Sequence, residues 1–237
     1  MNRSKRGYGE NGPNGHAGGL RPGSRPRVMT RLPGLAVAAV LVCAFGVLTG
    51  DVWAGKGFAF DQSVMEAVHT MASPWLTAAM QLITASASGL VTIGLALGLG
   101  IRWWRQVGRR AEAAILLVTL AGSAVLGRGL KLVFARPRPH LFPWLTATGG
   151  WSFPSGHTLN AVVLGGLLAW LMGRRLSGRR RVALWAGAGL WVVLVGLSRV
   201  YLGIHYPSDV LASLAVGGLC LLVALYVYRV NVSQPAS

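Results

Sequence analysis

Six apolar stretches dominate this 237-residue chain, over 34–53, 76–101, 111–134, 157–173, 182–198 and 210–227. A helix that crosses a bilayer needs roughly 20 apolar residues. The fourth and fifth stretches are near the short limit and the others meet it. In lipid every backbone polar group must find a partner within the chain, which leaves helices or closed barrels as the only spanning structures. Continuous apolar runs of this length read as helices, so the expected fold is all-α, a bundle of six transmembrane helices. Only 12% of the residues are charged, against about a quarter in soluble domains, which fits a chain that sits in lipid.

The expected domain plan is one membrane domain over 34–229. Before it comes a basic tail over 1–33, rich in Gly, Pro, Arg, Ser and Asn. Such a tail buries too little apolar surface to order itself. A short C-terminal tail over 230–237 follows the domain. A cleaved signal peptide is the rival reading of the first stretch. Its basic leader is too long for that, and its apolar run exceeds the usual core of about 7–15 residues.

The net charge of +17 raises the question of nucleic acid. A nucleic-acid binder gathers its basic residues on one patch with reading elements, and here they fall in the connections between apolar stretches. That distribution sets membrane orientation instead. The tail carries Arg3, Lys5, Arg6, Arg21, Arg25, Arg27 and Arg31. The second connection carries Arg102, Arg105, Arg109 and Arg110, and the fourth carries Arg174, Arg175, Arg179, Arg180 and Arg181. Positive loops stay inside, so both termini are expected in the cytoplasm of a multi-pass plasma-membrane protein. No nucleic-acid partner is expected. Cys43 and Cys220 lie within apolar stretches, where a lone thiol behaves as a small hydrophobe.

The first outward connection holds Lys56, with Asp51, Asp61 and Glu66 in or beside it. Phe60, Val64, Val68 and Met71 recur in it at helical spacing, with Met65 beside them. The pattern predicts a short amphipathic helix at the outer interface, with Asp61 as its cap and Ser73-Pro74 as its stop.

The third connection should also face outward, yet it carries Lys131, Arg136 and Arg138. Two more polar clusters share that face: Pro154-Ser155-Gly156-His157 and Ser198-Arg199 followed by His205 and Asp209. Each has an ordinary reading alone. Pro-Ser-Gly starts helices, Arg-Pro anchors span ends, a lone His sits at interfaces, and Asp209 is a first-turn helix charge. Their convergence on one face is what a site needs. Guanidinium groups match phosphate oxygens in pairs and Lys acts as a point charge. Backbone amides of Ser155 and Gly156 at a helix start add anion-binding capacity. Two histidines supply groups that move protons or attack near neutral pH, and Asp209 can hold one ring nitrogen of His205. Arg128 lies three residues before Lys131 inside the third span, and it either touches the pocket or a headgroup or snorkels to water.

Lys131 with Arg138-Pro139, Pro154-Ser155-Gly156-His157, and Ser198-Arg199 with His205 and Asp209 together resemble the three-part signature of the type 2 phosphatidic acid phosphatase superfamily. The likeness covers about residues 35–227. It implies that His205 is a nucleophile forming a phosphohistidine, Asp209 its orienting carboxylate and His157 the acid for the leaving group. It makes Lys131, Arg138 and Arg199 the phosphate clamp, with Ser155, Gly156 and Ser198 beside them. It also implies a lipid phosphate substrate, such as undecaprenyl diphosphate, phosphatidylglycerophosphate or phosphatidic acid, and no metal or cofactor. With only six carboxylates in the chain, no oxygen-ligand cluster stands beside the clamp. The alternatives are a vanadate-dependent haloperoxidase-like site, a phosphotransferase, and a non-catalytic lipid-binding or lipid-moving protein.

Overall fold

A computed structural model describes residues 32–55 and 57–232. Most of the expected N-terminal tail, Lys56 and the last five residues of the expected C-terminal tail lie outside the described residues. Among the described residues there are eight helices and no strand: α1 (Leu32–Trp53), α2 (Ala59–His69), α3 (Pro74–Ala85), α4 (Gly89–Trp104), α5 (Arg110–Phe134), α6 (Gly156–Gly173), α7 (Gly178–Tyr201) and α8 (Pro207–Val232). Five are long and apolar enough to cross a membrane, and α3 with α4 makes a sixth span bent by 42°. The protein is a multi-pass membrane protein with the expected all-α architecture.

The bend corrects the reading of 76–101 as one continuous span. Ser86-Ala87-Ser88 breaks the helix, and the Ser88 hydroxyl caps α4 by accepting from the Val91 N–H. A break inside a membrane leaves backbone groups that need partners. Asn160 of α6 donates to the Ala87 carbonyl at 3.2 Å, and Trp191 of α7 donates to the Ser86 hydroxyl at 2.8 Å.

Helix α6 is the centre of the bundle. More than half of its span is buried, against 11% for α1, and it packs against α4, α5, α7 and α8. Small residues permit the close approach. A Cβ on Gly127 of α5 would meet Leu159, and one on Gly217 of α8 would meet Val162. Helix α1 runs along α8, where Phe45, Leu48 and Val52 pack around the fully buried Phe153. Phe134 closes edge-on against Phe153 from the end of α5. This aromatic cluster anchors the loop that leads into α6.

Helix α2 lies where the amphipathic interfacial helix was expected, with a different inward face. Asp61 and Met65 are buried, while Phe60, Val64 and Met71 are exposed. Asp61 does not cap α2, whose N-cap is Phe58. The carboxylate points into the bundle because a buried arginine awaits it there. Ser73 is the N-cap of α3, with Pro74 in the first turn.

Candidate active site

The site forms where four elements end together: the C-terminus of α5, the N-terminus of α6, the C-terminus of α7 and the N-terminus of α8. The arginines of the second and fourth connections gather at the opposite ends of these helices, where Arg175 and Arg109 both pair with Glu112.

Two glycine-containing turns let the chain close over the site. Gly203 has φ of +76°, and a Cβ there would stand 2.8 Å from Phe142. This left-handed residue turns the chain out of α7 and delivers His205 just before Pro207 opens α8. Gly150, at φ +68°, turns the preceding loop so that its carbonyls face Arg138.

His205 is buried, 1% exposed. Its Nε2 stands 3.2 Å from Nη1 of Arg138 and its Nδ1 stands 3.3 Å from Oδ2 of Asp209. A guanidinium only donates, so Nε2 accepts and the ring proton sits on Nδ1. Burial pushes the His205 pKa down to about 3, against the raising effect of Asp209, with Arg199 and Lys131 lowering it further. The imidazole is therefore neutral at physiological pH, with a lone pair on Nε2.

Asp209 is fully buried and its two oxygens have separate duties. Oδ2 accepts from the His205 ring, from the Tyr206 N–H at 3.0 Å and from the Ser152 hydroxyl. Oδ1 accepts from Nη1 of Arg136 at 2.6 Å.

Arg138 touches the imidazole, and Arg199 and Lys131 lie within electrostatic range of it. Arg138 donates to the carbonyls of Gly149, Gly150 and Ile204 at 2.8, 3.0 and 2.7 Å. Lys131 donates to the carbonyls of Trp151 and Ser152 at 2.5 and 3.3 Å, which leaves one of its three N–H groups. These two side chains staple the loop before α6 and fix their own heads in doing so. Arg199 is 4% exposed; its Nη1 donates to the Thr84 hydroxyl at 2.8 Å, and its Nε is buried without a partner. A buried guanidinium with an open donor is primed for an anion. His157 sits in the first turn of α6, partly exposed, within electrostatic range of Arg199, Arg138 and Lys131.

The expected residues come together with three exceptions of detail. The Ser155 N–H is taken by the Asp209 carbonyl at 3.3 Å, because α8 packs across the start of α6. The α6 ladder begins with Leu159 N–H to the Ser155 carbonyl, so the amides of Gly156, His157 and Thr158 precede it and stay available. The Ser155 hydroxyl accepts from Thr158 and keeps its own proton to donate. The Ser198 hydroxyl turns back to the Val195 carbonyl at 2.6 Å and so faces its own helix, away from the cluster. Arg128 is exposed on the flank of α5 and joins none of the hydrogen bonds of the site.

Two participants, Ser152 and Thr84, escape the sequence reading, and two it names, Arg136 and Asp61, take roles it does not give them. Ser152 is two residues before Pro154 and Arg136 two before Arg138, so proximity to the clusters is a usable signal for both. Thr84 carries no local signal, and the local signal of Asp61 points to a helix cap instead of to Arg136 and Ser208.

Taken together, the site and fold define a membrane protein with a buried imidazole set among cations beside a helix start. A family model described as the PAP2 superfamily matches residues 112–233. Phosphatidylglycerophosphatase B of Bacillus subtilis (strain 168) is 30% identical over 161 residues, covering 66% of this chain and 77% of that protein. The putative undecaprenyl-diphosphatase YbjG of Escherichia coli (strain K12) is 28% identical over 163 residues, 66% of this chain and 76% of that one. The crystal structure of the first transmembrane PAP2 type phosphatidylglycerolphosphate phosphatase from Bacillus subtilis superposes with a TM-score of 0.75 at 26% identity, covering 82% of this chain and 96% of that one. Aquifex aeolicus LpxE gives a TM-score of 0.58 at 26% identity over 71% of this chain and 96% of that one. The chain belongs to the PAP2 superfamily, and with it to the membrane lipid phosphatases.

Proposed function

We propose that the protein hydrolyses the terminal phosphate of a membrane lipid through a phosphohistidine on His205, without a metal ion. The observation that carries this reading is Nε2 of His205 held beside a guanidinium that can only donate, Arg138, in the field of a second, Arg199, that has an unfilled buried donor. In the first half-reaction the Nε2 lone pair attacks phosphorus and the bond to the leaving oxygen breaks. His157 gives that oxygen its proton, so a lipid alcohol or lipid phosphate departs. In the second half, His157 takes a proton from water, the water oxygen attacks phosphorus and the P–N bond breaks. Inorganic phosphate leaves and Nε2 regains its lone pair. Lys131, Arg138, Arg199 and the first amides of α6 neutralise charge on the transferring group, the contribution on which phosphoryl transfer chiefly depends. A metal would supply the same neutralisation, and the cations supply it here.

The substrates proposed are phosphatidylglycerophosphate, undecaprenyl diphosphate or phosphatidic acid, since each presents a terminal phosphate on an apolar anchor. The phosphatase domain is placed at 34–229. The site is assigned to the outer face and both termini to the cytoplasm, because the arginines of the second and fourth connections lie at the other end of the bundle.

The deciding experiment measures phosphate release by the protein purified in detergent with EDTA, for wild type and His205→Ala, on all three lipids. Release by wild type alone is expected, and the ranking of rates names the lipid. Equal release by both proteins, or release that EDTA abolishes, overturns the mechanism.

A further inference from the structure

A second ionic layer lies behind His205 and Asp209, and the chemistry above does not use it. Asp61 of α2 is 2% exposed. Its Oδ1 accepts from the Ser208 N–H at 2.8 Å, and its Oδ2 accepts from the Ser208 hydroxyl at 2.6 Å and from Nη2 of Arg136 at 3.0 Å. Arg136 uses its other fork arm, Nη1, on Oδ1 of Asp209 at 2.6 Å and on the Ser208 hydroxyl at 2.8 Å. Its guanidinium carbon lies 4.0 Å from the centre of the Tyr206 ring. Among the described residues, every hydrogen bond from the Arg136 side chain goes to this network and none to the phosphate cluster.

We infer that Arg136 and Asp61 are positioning residues that aim the nucleophile through Asp209. This rests on the reading of His205 as the nucleophile. The torsion about the last bond of an aspartate is broad, so a lone carboxylate does not choose which oxygen faces its partner. Arg136 occupies Oδ1 and so turns Oδ2 to the imidazole. Arg136 is itself held in the plane of its fork by Asp61, which takes the second arm. Asp61 also accepts from a first-turn amide of α8, the helix that carries Asp209, where the helix dipole favours a carboxylate. The arrangement ties Asp209 from two sides: by its own helix start and by its side chain. Because Asp61 belongs to the interfacial helix, whose Phe60 and Val64 are exposed, the seating of α2 at the membrane surface reaches the nucleophile through this chain of bonds.

The test compares wild type with Asp61→Asn, Arg136→Lys and His205→Ala in detergent, with phosphatidylglycerophosphate, undecaprenyl diphosphate and phosphatidic acid assayed as separate substrates. Asparagine keeps the shape and one acceptor oxygen but loses the charge. Lysine keeps the charge but cannot bridge two carboxylates as a fork. For each of these two variants we expect kcat to fall roughly 10–100-fold on every lipid that wild type hydrolyses, the cost of a misplaced reacting group, with KM changed less than about threefold. In an Asp209→Ala background, Asp61→Asn should cost nothing more, since no carboxylate is left to orient. Unchanged kcat in both variants, a change confined to KM, or an undiminished loss in the Asp209→Ala background overturns the inference. Failure of both variants to fold would make the pair structural and overturn it as well. An active His205→Ala sinks the nucleophile assignment itself, whereas an inactive His205→Ala beside active Asp61 and Arg136 variants sinks only this inference.

Discussion

Nη1 of Arg138 stands 3.2 Å from Nε2 of His205, and the same nitrogen donates to the Ile204 carbonyl at 2.7 Å. The guanidinium is thus fixed by the residue next to the histidine before it touches the histidine. Burial lowers the Arg138 pKa from its ordinary value while the charge of Asp209 raises it, and the group stays a cation that can only donate. The contact selects the tautomer in which Nδ1 carries the proton toward Asp209. In the proposed reaction Arg138 passes its donor from the nitrogen to an entering phosphate oxygen, which frees the lone pair for attack.

Replacing Asp209 by Asn should undo that tautomer. The side-chain amide can present its N–H to Nδ1 and drive the ring proton onto Nε2. We expect kcat to fall by about 10³–10⁴, as in the hydrolase triads where the same change reverses the tautomer. Lipid binding, measured as KM in single-turnover assays, should hold. A loss below tenfold would contradict the orienting role.

The pH dependence carries a sign. In the proposed mechanism the neutral imidazole of His205 attacks, and its pKa is pushed down to about 3 chiefly by burial. His205 is then neutral throughout the neutral range, and its protonation removes activity only well below pH 5. The profile of kcat/KM for wild type, with the ionisation of the lipid phosphate itself divided out by phosphorus NMR titration, should show no acid limb near the ordinary histidine value of about 6.5 from this residue. An acid limb near 6.5 that disappears in a variant altered only at His205's surroundings would place the nucleophile in water instead.

Thr84 should matter to turnover although it lies in the bent span and far from every motif. Its hydroxyl accepts from Nη1 of Arg199 at 2.8 Å, with 115 residues between them in sequence. Thr84→Val keeps the shape and removes the acceptor. One hydrogen bond to a charged group is worth about 1.5–3 kcal/mol, so kcat/KM should fall about 10–100-fold while the detergent-solubilised protein elutes and melts near wild type. Unaltered kcat/KM would show that Arg199 needs no support from α3.

The packing of α6 on α8 predicts an order of stabilities. A Cβ on Gly217 would stand 2.6 Å from Cγ1 and 2.8 Å from Cβ of Val162, a branched side chain that cannot swing aside. A Cβ on Gly166 would meet the tip of Leu221, which can change rotamer. Gly217→Ala should destabilise the protein by about 1–3 kcal/mol and Gly166→Ala by less, read from thermal unfolding in detergent. The reverse order would mean that α6 and α8 are less closely seated.

Much of the site was legible because membrane spans alternate direction. Once 111–134 and 182–198 were read as odd-numbered spans, the ends carrying Lys131 and Arg199 had to share a face with the start of α6. Arg136 shows where that reasoning stops. It is two residues from Arg138 and lies in the same basic run, yet Arg138 faces His205 and Arg136 faces two carboxylates. The left-handed Ala135, at φ 40°, ends α5 and redirects the chain just before them, a turn with no glycine to announce it.

The sequence by itself determined which stretches become long apolar helices and that the polar clusters meet at one end of the bundle, because hydropathy acts over a helix length and needs no knowledge of neighbours. Only the tertiary structure decided that the second span is broken at Ser86–Ser88, that Thr84 holds Arg199, and that Asp61 serves α8 and Arg136 instead of capping its own helix. Buried ionic groups pair with whatever packing brings within 3 Å. The partners of Asp61 lie 75 and 147 residues away in sequence, a distance at which no local pattern records them.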